Sequence, residues 1–161
     1  PVDNRKIVKL LKEKYNKTSE EANFIAHFTK GSVGQSISLS QSEDFFNLRE
    51  DTINTIHKLL TGDRISLINS VNFFMENKDS INKIMDMILY WFRDLLIYKE
   101  IGDSSLIVNK DKIQLLSSET FLNSDRINGI IEYIMETKDH IESNINFQLA
   151  IETMLLKIQE V

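Results

Sequence analysis

Three histidines, His27, His57 and His140, are the side chains best suited to proton transfer or metal binding, and their placement argues against both. They fall on separate helical stretches, and none has a second histidine or a carboxylate at the offset of a known zinc pattern. Glu136 and His140 share a helix face at four-residue spacing, which reads as a solvated surface contact. The chain has no cysteine, so thiol catalysis, cysteine-based zinc sites and disulfides are excluded together. Gly31-Ser32-Val33-Gly34 looks faintly like a phosphate loop but lacks the Gly-Lys-Ser/Thr ending and follows no strand. No serine sits in a nucleophile elbow, and no carboxylate pair stands out. Neither catalysis nor a cofactor or metal is expected.

Arg93 and Asp94 differ from these. They are adjacent charges inside the most apolar helical stretch of the chain, and neighbours one residue apart do not face each other. Burying either one unpaired would cost several kcal/mol, roughly, in a real protein interior. Tyr90 and Tyr98, four residues either side of Asp94, are candidate donors to it. Arg93 is expected to reach a carboxylate on another helix, with Glu152 or Asp111 the candidates. A polar network that fixes helix register is expected from this pair, not catalysis. Asn144 is a good cap for the last helix, and Asn146 in its first turn is placed to bond backbone in a neighbouring loop.

The elements that must position these residues are helical throughout. Asp3 caps a first helix carrying Ile7, Val8, Leu10, Leu11 and Tyr15. Thr18 and Glu21 form a capping box before a second, which Lys30 and Gly31 end, with Gly31 taking the left-handed conformation. A short third helix spans about 32–41. Further helices follow over 44–61, 64–77, about 81–101, 111–121, 124–141 and from Asn144 to about 159. Gly62 and Gly102 act as stops and Asp63 as a cap; Asp79 or Ser80 caps the helix that starts near 81. The loop 102–110 has a candidate extended piece at Leu106–Val108. The class is all-α: a small three-helix unit over residues 1–42, then a helical bundle over 43–161.

Two stretches are more apolar than a surface helix requires. Residues 81–101 are apolar almost all round, and the last helix is apolar on more than one face. Such a helix is either central in its own domain or buried against a partner. One central helix is ordinary; a second, at the chain's end, points to an interface with another protein. Trp91, Phe92, Leu149 and Leu156 are therefore expected in the core or at that interface.

Charge is unevenly spread over the 161 residues. Residues 1–42 hold seven Lys/Arg against four Asp/Glu (+3), and residues 43–161 hold twelve against twenty (−8), for a net −5. The acidic part is a poor candidate for direct DNA contact, because phosphate neutralisation needs clustered cations. Lys6, Lys9, Lys12 and Lys14 lend some support to a helix-turn-helix reading of residues 1–41, beside the blander one of a solvated amphipathic face. The longest apolar run, Met87 to Phe92, is far short of the roughly 20 residues a membrane span needs. No basic, apolar, small-residue stretch opens the sequence, so a secretory leader is not expected. A cytoplasmic protein with no membrane or small-molecule partner is expected. The chain opens on Pro1, not Met, so a piece of a longer protein is expected.

Taken in order, the motifs resemble a known family. Trp91-Phe92-Arg93-Asp94-Leu95-Leu96 is followed by Lys99 and Gly102, then Ile107-Val108-Asn109-Lys110-Asp111, then Asn144-Ile145-Asn146 with Leu149, Glu152, Leu155 and Leu156. This series is similar to the C-terminal region of the delta-prime subunit of bacterial DNA polymerase III, part of the clamp loader. There an aromatic-Arg-Asp-Leu-Leu helix, an Asn-x-Asp loop and a closing Asn-x-Asn helix occur in this order. Glu20-Glu21-Ala22 and Lys30-Gly31-Ser32-Val33-Gly34-Gln35-Ser36 resemble the helical lid of AAA+ proteins.

The resemblance implies a lid over 1–42 and an oligomerisation collar over 43–161. It implies partners among the gamma/tau and delta clamp-loader subunits, with DNA engaged only through the whole complex. In ATPase-competent relatives an arginine on the third lid helix reaches the nucleotide phosphate; the matching position here is Gly34, which carries no charge. A non-catalytic assembly piece is therefore implied. An all-helical adaptor unrelated to replication, or a helix-turn-helix binder through residues 1–41, are the rival readings.

Overall fold

The computed structural model describes residues 1–143 and 146–160. These form nine α-helices and, among the described residues, no strand: α1 (Asn4–Lys14), α2 (Ser19–Phe28), α3 (Val33–Ser40), α4 (Glu43–Thr61), α5 (Arg64–Glu76), α6 (Ile81–Glu100), α7 (Ile113–Ser118), α8 (Ser124–Glu142) and α9 (Phe147–Gln159). Their boundaries follow side-chain caps. Asp3 accepts from Arg5 N, Thr18 and Glu21 form the reciprocal capping box, and Asp63 accepts from the backbone of Ile65 and Ser66. Gly31 turns left-handed at φ 83°, and a Cβ there would lie 2.7 Å from the Val2 carbonyl oxygen.

Three boundaries depart from expectation. The loop after α6 forms no strand; two 3-10 turns, Ser104–Leu106 and Lys110–Lys112, flank a short link in which Ile107 is extended. Asp111 lies in the second turn and α7 is only six residues long, because Asp111 is drawn into an ion pair instead of capping a helix. The cap of α9 is Asn146, whose side chain accepts from Leu149 N. The expected cap, Asn144, lies outside the described residues.

Packing makes α6 the axis. It lies against α4, α7 and α8, while α9 packs on α4, α5 and α8. Trp91, Phe92, Ile84, Ile88 and Leu95 are buried among Ile56, Phe74, Ile130 and Met154. The roundabout apolarity of α6 is thus absorbed within one chain. A second apolar cluster joins α1 and α2, through Ile7, Leu11, Phe24 and Ile25, to Phe45 of α4, Met87 of α6 and Val108. Phe28 stacks on Phe24 and meets Phe45 edge-on at 5.2 Å between centroids, and the Tyr90 hydroxyl donates to the His27 carbonyl. The N-terminal helices are therefore joined to α4 and α6 chiefly through α2.

Truncating Phe92, which has no exposed surface, to alanine is expected to cost about 3–5 kcal/mol of stability. Leu149→Ala, at a largely exposed position, is expected to stay within about 0.5 kcal/mol. Urea denaturation of the two variants checks the contrast.

Candidate functional site

Asp94 is buried on α6, and its carboxylate meets the loop that follows. It accepts from Val108 N (2.8 Å), Asn109 N (2.8 Å) and Asn109 Nδ2 (2.6 Å). The Asn109 side-chain oxygen in turn accepts from Arg49, and the Arg49 guanidinium grips Asp111 with two hydrogen bonds of 2.6 and 2.8 Å. Arg49 also lies 4.1 Å over the Phe24 ring, and Asn23 donates to the Val108 carbonyl, so α2 is tied to the same loop. Burial pushes the Asp94 carboxyl above its usual value, against the pull of the three donors. Burial pushes Asp111 the same way, but the bonds and charge of Arg49 prevail and hold it below the usual value.

Asp94, Asn109 and Asp111, all singled out in the sequence, thus meet at one place. Arg93 does not join them. It is exposed, makes no ion pair among the described residues, and lines a solvent cleft of about 350 Å³ with Tyr90, Met135 and Asp139. The expected pairing of Arg93 with Glu152 or Asp111 is corrected. Asp111 belongs to Arg49, and Glu152 accepts from Gln148 on its own helix. Tyr90 and Tyr98 do not donate to Asp94 either; a one-residue step on α6 turns Arg93 outward as Asp94 turns in. Arg49 was missed, although its position in the series Phe45, Arg49, Thr52, Ile53, Ile56 places a lone charge on the buried face of α4.

A second buried carboxylate, Glu119, stands at the end of α7. It has no exposed surface and accepts from Trp91 Nε1 (2.8 Å) and His57 Nδ1 (2.7 Å). Burial raises its pKa above 4.5, only partly countered by those two partners. Lys99 closes the same end of the bundle by donating to the carbonyls of Thr120 and Leu122.

Leu149 and Leu156 are not core. They are 59% and 47% exposed on α9; on α5, Ile65 and Ile68 are 65% and 56% exposed, and of these four Ile68 and Leu156 line the groove between the two helices. The Gln159 side chain donates to the Asp63 carbonyl, pinning the end of α9 to the start of α5. Between the two helices runs a groove of about 440 Å³ lined by Leu67, Ile68, Val71 and Leu156 and edged by Gln148 and Glu152. Apolar surface gathered this way marks an interaction site more often than an ordinary monomer surface. Gly34 is exposed on α3 with open space above it. Among the described residues no group of three or more His, Asp or Glu is placed to hold a metal, and no helix is long and apolar enough to cross a membrane.

Removing Arg49 leaves Asp111 and Asn109 without their partner, so Arg49→Met is expected to cost about 3–5 kcal/mol. Arg93→Glu is expected to leave stability nearly unchanged. For Glu119 the folded pKa is the higher one. Its contribution to stability is therefore full below pH 4.5 and is lost as pH rises through the raised folded value. Glu119→Gln, which stays neutral at every pH, should match the parent below pH 4.5 and become the more stable of the two over that window, followed by the fluorescence of Trp91, the sole tryptophan.

No curated protein matches the chain. A family model described as DNA polymerase III, delta subunit, C terminal, matches residues 43–160, from the first residue of α4 to the end of α9. With most of its length covered, the chain belongs to the family of C-terminal domains of the DNA polymerase III delta subunit.

Proposed function

We propose that residues 43–161 act as the collar of a delta-prime-type clamp-loader subunit, packing beside the collars of gamma/tau and delta so that the ring can place a sliding clamp on primed DNA. The observation that carries this reading is the apolar seam of α5 and α9. It lies on a domain of this family whose other apolar helix, α6, is already enclosed. Interfaces need an apolar centre with an uncharged or polar rim. Ile68 and Leu156 line the seam, with Ile65 and Leu149 exposed on the same two helices, and Asn72 and Gln148 are exposed polar residues at its edge.

Residues 1–42 then form a lid of AAA+ type. Supporting this are the start of the family match at residue 43 and the Ser42 cap that opens α4 there. Gly34, chargeless on α3, suits a protein that does not hydrolyse nucleotide. The role of the chain is to contribute interface area and rigidity in the cytoplasm, not chemistry. The delta-prime assignment rests on the ordered motifs from Trp91 to Leu156, of which Trp91 and Phe92 lie in the bundle core and Asp94 holds the loop after α6.

Capture experiments with purified gamma/tau, delta and delta-prime subunits test both levels. The parent chain is expected to bring down gamma/tau and delta. Ile68→Glu with Leu156→Glu is expected to lower that capture at least tenfold while shifting stability by no more than about 1 kcal/mol, as for surface positions. Capture of delta-prime in place of delta would make the chain a delta collar. Failure to capture any of the three would end the reading.

A further inference from the structure

We propose that the outer face of α1 is a contact surface for the phosphodiester backbone of nucleic acid, bound without base readout. The helix turns Ile7 and Leu11 into the core and presents Arg5, Lys6, Lys9 and Lys12 to solvent. At 100° per residue, Arg5, Lys9 and Lys12 fall within about 60° of one another, with Lys6 a further 60° or so round. Only Arg5 of the four has an ion-pair partner among the described residues, the adjacent Asp3 at 3.3 Å. Glu13 falls on this face, between Lys9 and Lys6 at 100° per residue, so with Asp3 two acidic side chains stand among the four cations. The four cations run along a helix about 16 Å long at 1.5 Å per residue.

The chemistry of this ridge selects its partner. Protein interfaces are depleted in lysine and built round an apolar centre. Here the apolar residues of α1 are buried or half-buried behind the cations, and the exposed apolar seam lies elsewhere, on α5 and α9. An interfacial helix held by a membrane inserts its apolar face, and on α1 that face is turned into the core. What remains is a linear array of positive charge, which fits a linear polyanion. The rest of the chain reinforces the direction of approach: residues 43–161 carry −8, and α1 packs only against α2 and α3 among its main neighbours, leaving its outer face clear. Base readout is not part of the proposal, because α3, the helix a helix-turn-helix would send into the groove, carries no cation.

The test is fluorescence anisotropy of the chain with a labelled mixed-sequence DNA duplex, a single-stranded DNA and an RNA hairpin over a range of salt. The expected result is sequence-independent binding whose log affinity falls with log salt at a slope of about −3 to −4, as for four released counterions. Lys9→Ala with Lys12→Ala is expected to reduce that slope by about two and to weaken binding several-fold. Its circular dichroism should match the parent, since both side chains are exposed. Binding to any of the three probes with that slope supports the proposal, and their ranking identifies the backbone preferred. No salt-dependent binding by the parent, or undiminished binding by the double variant, overturns it. So does a double variant that no longer captures the clamp-loader proteins yet keeps its nucleic-acid binding intact. Seam variants at Ile68 and Leu156 should bind nucleic acid normally, which separates this proposal from the collar reading.

Discussion

A carboxylate cannot be left bare in a protein interior, and the cost of desolvating Asp94 organises much of this molecule. Its position on the enclosed face of α6 obliges the chain to bring donors to it, and the donors come from Val108 and Asn109. Once that loop is fixed, Asn109 and Asp111 become acceptors that hold Arg49 on α4, and Val108 becomes an acceptor for Asn23 on α2. One buried charge thereby determines where a loop, a helix of the bundle and a helix of the N-terminal unit meet. Replacing the whole set by apolar groups would be less costly than breaking it, which suggests a role in specifying one arrangement of helices over others.

Glu119 repeats the device at the end of α7. Its bonds to the indole and to His57 fix a six-residue helix that is too short to hold itself. Lys99 holds the C-terminal end of α6, Met87 and Tyr90 pack its middle against α2, and Gln159 pins α9 to the start of α5. A rigid apolar seam loses little conformational freedom on docking, which favours assembly over a mobile one.

The two halves of the chain divide their surfaces by kind. The bundle is acidic with an apolar seam; the N-terminal unit is basic with its apolar residues turned inward. An assembly that uses the seam for protein contacts leaves the basic ridge of α1 free for a different class of partner.

Helix number, most caps and the enclosed character of Trp91 and Phe92 were legible along the chain, because a 3.6-residue apolar period and a capping side chain act over a few residues. Asp94 could be singled out because a charge amid apolar residues must be satisfied somewhere, whereas Asn109 is reached through the family resemblance and Asp111 as a helix start and a candidate partner for Arg93. Their partner could not be named. Arg49 and Asp111 are sixty-two positions apart, and only the packing of α4 beside the loop after α6 brings them within 2.6 Å. The direction of Arg93, the short α7 and the open face of α9 were settled the same way. Each depends on which side of a helix its neighbours cover, and that is a property of the assembled bundle, not of any local run of residues.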